Sequence, residues 1–177
     1  MKRKLALIII AVLVMTTMIA PAALGKSKED IAPKLNEKIK KEILTEFEKQ
    51  KEAGLVRESP ILIESDGDLP QASFIGGVIY AFLYDDPFSL QASGYSYATT
   101  ELQFATAALT DNLIRISDYQ SVYSNVSYGY YDNTIDSYTY TAVPNSGNYG
   151  LQSSVHVVLT TGSVGNGVAY SNIVYID

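Results

Sequence analysis

The side chains of this chain able to do chemistry are carboxylates and tyrosines, and they are concentrated in one part of it. From Glu58 to Asp177 there are twelve Asp and Glu residues and all fourteen tyrosines, against one basic side chain, Arg115. His156 is the only histidine, and there is no cysteine. Zinc sites built on thiolate or several imidazoles are therefore excluded, as are Cys-His nucleophile pairs.

Three acidic groups have the composition of a cation site. Glu64, Asp66 and Asp68 surround Gly67, Asp85 and Asp86 end an apolar run, and Asp132 and Asp136 share a polar stretch. Calcium takes six to eight oxygens from carboxylates, carbonyls and water, which loops between strands supply. Glu64, Asp66 and Asp68 form the candidate calcium site, although Asp and Gly are also what a solvated turn prefers for backbone reasons. No other cofactor is expected. A carboxylate pair of the kind a glycoside hydrolase uses has no local motif here, and the chain is read as non-catalytic.

Tyrosine offers a second chemistry. Two strands, Val122 to Tyr130 and Tyr138 to Val143, are expected to form a hairpin about Thr134. That register places Tyr130 opposite Tyr138 and Tyr128 opposite Tyr140, a cross-strand ladder on one face. Turned outward, Tyr128, Tyr130, Tyr138 and Tyr140 form a ligand surface for sugar rings; turned inward, they pack the core.

Charge limits the partners. One arginine against twelve carboxylates gives the segment from Glu58 onward a net charge of −11. A phosphate backbone needs basic side chains, so nucleic acid is not expected as a partner. Other copies of the chain, cell-surface proteins, glycans and cations remain.

The elements that must position these residues follow from periodicity. Residues 1–25 have the form of a secretory signal: Lys2, Arg3 and Lys4, an apolar run from Leu5 to Ala20, Pro21, then Ala23-Leu24-Gly25. Cleavage after Gly25 makes the protein secreted, extracellular or held at the cell surface. Without cleavage the same segment approaches the length of a membrane span, the only membrane association expected. Residues 26–57 read as an amphipathic helix, with Ile31, Leu35, Ile39, Ile43 and Phe47 every four residues among lysines and glutamates. Asp30 is its expected N-cap and Gly54 its expected C′ residue. The expected place of this helix is along the body, with self-association as the alternative.

Residues 58–177 switch to strand signals. Tyr, Val, Ile, Ser and Thr run between Gly, Asn, Asp and Pro punctuation. Phe74 to Tyr84 is the expected buried central strand, Asp111-Asn112 an expected turn, and Val155–Thr161 with Val168–Tyr175 a second hairpin. About eight short strands argue for a mainly β domain, an antiparallel β-sandwich of immunoglobulin-like or jelly-roll-like form preceded by the helix. The expected function is that of an exported structural or adhesive module, self-assembling through strand edges. A glycan- or calcium-binding β-sandwich is the alternative, and an acid-pair glycoside hydrolase the third reading.

Overall fold

The computed structural model describes residues 35–64, 73–85 and 90–177. The expected signal segment, Asp30, Asp66 and Asp68 lie outside these residues. Among the described residues no helix is long and apolar enough to cross a membrane. One helix, α1 (Glu37–Glu52), precedes seven strands. These are β1 (Glu58–Glu64), β2 (Ser73–Asp85), β3 (Gln91–Arg115), β4 (Gln120–Ala142), β5 (Gly147–Leu159), β6 (Val164–Tyr170) and β7 (Val174–Ile176).

The protein is mainly β, and every strand pairing is antiparallel. The strands do not stack as the two sheets of the expected sandwich. β1 pairs with β2, β2 with β3, β3 with β5, β5 with β6, and β6 with β1. That circuit is a closed five-stranded barrel. β4 lies outside it against β3, and β7 lies outside it against β5.

Two local devices bend the sheet enough to close. The first is at Gly76, which is skipped where Ile61 pairs with Gly77 and Leu62 with Ile75. An extra residue on one strand increases the local bend and twist, and glycine lets the neighbouring strands come close. The second is a corner shared by β3 and β4, whose pairing jumps from Thr99–Thr134 to Phe104–Asp132. Tyr131 takes a left-handed φ of 52° there, and Gln103 Nε2 donates to its carbonyl at 2.8 Å. Asp132 Oδ1 accepts from the amides of Asn133 at 2.6 Å and Thr134 at 3.3 Å. Before the corner β3 pairs with β2; beyond it β3 pairs with β5. The bend therefore carries β3 from one side of the barrel to the other.

This corner corrects the expected Tyr128–Tyr140 hairpin. Asp132 Oδ1 satisfies the Asn133 and Thr134 amides without reversing the chain, and β4 is one 23-residue strand. Asp111-Asn112 is likewise no turn. Asp111 pairs with Asn125 on one side and Ser153 on the other, in the middle of 25-residue β3. Pairing on both flanks overrides the turn preference of Asp and Asn. The second hairpin is present with a tighter loop, Val158 pairing with Val164 and Gly162 holding a φ of 95°.

The core has three parts. One end of the barrel is filled by Ile61, Ile63, Ile79, Phe104, Leu109 and Val157 among others. The other end holds Leu83, Leu113, Tyr149, Leu151 and Ile176. The third lies outside the barrel wall, where α1 presses Ile43 and Phe47 onto Tyr80, Phe82 and Tyr95. The Phe47 ring meets Tyr95 edge-on at 4.9 Å and Phe82 at 5.8 Å. Lys51 Nζ caps the Tyr80 ring at 4.6 Å, and Lys40 Nζ sits 5.7 Å from that of Tyr138. Such contacts hold the apolar stripe of α1 down while its lysines keep their charge at the margin. Asn36 caps α1, its Oδ1 accepting from Ile39 N–H at 3.0 Å, and Gly54 ends it with a φ of 71°.

Candidate functional site

The four candidate tyrosines all belong to β4, and the corner separates them. Tyr128 and Tyr130 precede it and are 68% and 65% exposed. Tyr138 and Tyr140 follow it and are half-buried. Tyr138 lies opposite Tyr95, its ring 5.0 Å away, and its hydroxyl pKa is raised chiefly by burial and then by Asp136. The Tyr140 hydroxyl donates to Gln91 Oε1. The structure thus brings Tyr128 and Tyr130 together, places Tyr138 beside the helix-covered aromatic layer, and forms no four-residue ladder.

Around Tyr128 a different surface is assembled by register. On the outer face of the barrel, Tyr128 lies opposite Ala108, Ala108 opposite His156, His156 opposite Asn166, Asn166 opposite Leu62, and Leu62 opposite Ile75. The next row is Val126, Thr110, Ser154 and Val168, and the one after it is Ser124, Asn112, Gln152 and Tyr170. Residues paired this way point to the same face. The three rows contain no Asp, Glu, Lys or Arg.

Small side chains on β3 make this face concave. A depression of about 180 Å³ is lined by Ala108, Thr110, Ser154, His156, Asn166 and Val168. Within it His156 Nδ1 lies 2.8 Å from Asn166 Oδ1, and in the adjoining row Gln152 Nε2 donates to the Tyr170 hydroxyl at 3.1 Å. A larger depression, of about 510 Å³, lies between the segment after α1 and the end of β6. It contains Arg57 and Glu58, and Glu58 Oε2 already accepts from the Tyr80 hydroxyl at 2.9 Å.

The free edge of β4 is the second feature of the region. One side of the strand pairs with β3 throughout, and among the described residues nothing pairs with the other. The arm from Gln120 to Tyr130 contains no charged residue and no proline.

Of the candidate calcium site only Glu64 is among the described residues, exposed at the end of β1, while Asp66 and Asp68 lie outside them. Among the described residues no group of three His, Asp or Glu side chains could hold a metal ion. Arg115 is paired with Asp118, Nε donating to Oδ1 at 3.1 Å, an interaction that lowers the Asp118 pKa.

Sequence reasoning missed one polar group altogether. Asp111 is fully buried and its Oδ1 accepts from Ser153 Oγ at 2.7 Å; Ser153 Oγ is 2.5 Å from Ser96 Oγ. Asp111 Oδ2 and Thr139 Oγ1 are buried with no hydrogen-bond partner among the described residues. Asp111 also raises the Tyr123 hydroxyl pKa, secondarily to burial. The signal available was parity: Leu109, Asp111 and Leu113 alternate, which puts all three on one face of a strand.

No protein-family model matches the chain, and no curated protein sequence is similar to it.

Proposed function

We propose that this protein is an exported, non-catalytic structural or adhesive module whose copies assemble through the free edge of β4. The observation that carries the reading is the Gln120–Tyr130 arm. Among the described residues no strand pairs with its outer edge. An unpaired edge is a template for another strand, and monomeric β proteins usually blunt it with lysine, proline, inward charges or a cover. This arm has neither lysine nor proline. It is rich in Tyr and Val, which suit a pleated surface.

A second copy is the natural occupant. Two such arms placed antiparallel about a two-fold axis present the same residues to one another, and no like charges oppose across the seam. Backbone hydrogen bonds would supply the attraction, and the exposed Val126, Tyr128 and Tyr130 would add side-chain contact across the seam.

Sedimentation velocity over a wide concentration range tests this. The parent chain is expected to form larger species as concentration rises. Ser121→Lys/Ser124→Lys, which adds charge to exposed positions of the arm, is expected to raise the concentration needed by roughly tenfold or more, while circular dichroism stays unchanged. A parent chain that remains monomeric at every concentration, or a double variant that assembles as the parent does, refutes edge pairing.

A further inference from the structure

We propose that the uncharged trough on the outer barrel face binds a single chain of a neutral polysaccharide. The inference rests on side chains of the sheet face, not on the backbone edge that carries the assembly reading.

Width is the first argument. Tyr128 on β4 and His156 on β5 flank Ala108 on the strand between them. Strands lie ~4.8 Å apart, so Tyr128 and His156 stand on strands roughly 10 Å apart and Val126 and Val168 on strands roughly 14 Å apart, which leaves room between the side chains for one glycan chain lying along the strands. The floor of Ala108 and Thr110 is small enough for a ring to sit down onto it.

Chemistry is the second. A sugar ring has an apolar face of C–H groups and a rim of neutral hydroxyls. Exposed tyrosine rings meet the first; hydroxyl and amide side chains meet the second. Tyr128, Val126, Val168 and Tyr170 supply apolar walls, all more than 40% exposed. Thr110, Asn112, Gln152, Ser154 and Asn166 supply neutral donors and acceptors at successive steps along the trough. Hydrogen bonds from His156 to Asn166 and from Gln152 to Tyr170 already hold three of these groups in place, which reduces the entropy lost on binding.

Charge is the third. The rows lack acidic and basic side chains, while the segment from Glu58 onward carries twelve carboxylates against one arginine. That field disfavours polyanions such as uronate polymers or nucleic acid, and leaves neutral chains as the complementary class.

The test is sedimentation of the full chain with microcrystalline cellulose, chitin and an insoluble mannan, and titration with soluble neutral β-glucan, using polygalacturonate as the anionic comparison. Binding to at least one neutral polymer, unchanged between low and high salt, is expected. Tyr128→Ala and Val168→Asp are each expected to weaken it roughly tenfold or more, and Tyr175→Ala, on β7 beyond the three rows, to leave it unchanged. Val168 is on β6, with β5 and β3 between it and β4, so its effect is separable from any loss of strand-edge assembly. Failure to bind every neutral polymer, full binding by both trough variants, or preference for polygalacturonate overturns the proposal.

Discussion

Gly77→Ala is expected to lower the unfolding free energy by about 3 kcal/mol, near the top of the range for overpacking. A Cβ on Gly77 would lie 2.2 Å from the Thr99 carbonyl oxygen and 2.9 Å from Thr100 Cα. Both are backbone atoms of the paired strand β3, so no rotamer change relieves the clash. The strands must separate at the point where β1, β2 and β3 are drawn together by the Gly76 bulge. At Gly150 an added Cβ would find its nearest neighbour, Ile116 Cδ1, at 3.6 Å, an ordinary contact. Gly150→Ala should therefore stay within about 0.5 kcal/mol of the parent. Urea denaturation of the two variants checks the contrast. Equal effects would mean that close packing of β2 on β3 is not what the barrel depends on.

The second large effect is expected at Asp111, and its sign depends on what else is changed. Asp111, Ser96 and Ser153 lie in a polar layer between the two apolar ends of the barrel. Asp111→Ala leaves the Ser153 hydroxyl without its acceptor and opens space beside Leu109 and Leu113. An unsatisfied buried donor costs roughly 1–3 kcal/mol, and the cavity adds to it. A loss of about 3 kcal/mol is expected. Replacing the whole network by apolar groups is a different experiment, because no buried donor is left wanting. The triple variant Ser96→Ala/Asp111→Val/Ser153→Ala is expected to recover at least half of that loss, and Asp111→Asn to cost less than Asp111→Ala. Chemical denaturation of the three proteins measures this; a triple variant that is less stable than Asp111→Ala would show that the layer stabilises the barrel outright. Its other role would be register. Asp111 pairs with Asn125 and Ser153, so a slipped β3 would bury the carboxyl against apolar neighbours.

Much of this was legible from local pattern. The change from a four-residue apolar repeat to Tyr-, Val- and Thr-rich segments marks the passage from helix to strand, and α1 and β1 lie on either side of it. What local pattern hides is continuity. Asp111-Asn112 and Asp132-Asn133 carry strong turn signals, yet both lie within strands, one held by pairing on two flanks and the other by Asp132 bonding to adjacent amides. Losing those two turns joins segments expected to be separate strands into β3 and β4, and a closed barrel stands where a sandwich was expected. Ring closure depends on the Gly76 bulge and the Thr100–Gln103 corner, and these show as irregular register only when partner strands are known. For the site, Tyr128 and Tyr130 were found by composition. His156, Asn166, Thr110 and Val168 join them through cross-strand register alone, over separations no sequence window spans.

If copies assemble as proposed, the outer edge of β4 between Gln120 and Tyr130, which no strand of the described residues pairs, becomes paired in the assembly. Amide hydrogen exchange resolved residue by residue, at low and high protein concentration, tests it most directly. In dilute solution, alternate amides of the arm should exchange fast while those bonded to β3 stay slow. At high concentration the fast set should slow by at least roughly tenfold, with β1, β2 and β6 unchanged. Fast exchange persisting along the arm while larger species form, or slow exchange of every arm amide in the dilute monomer, would contradict the account.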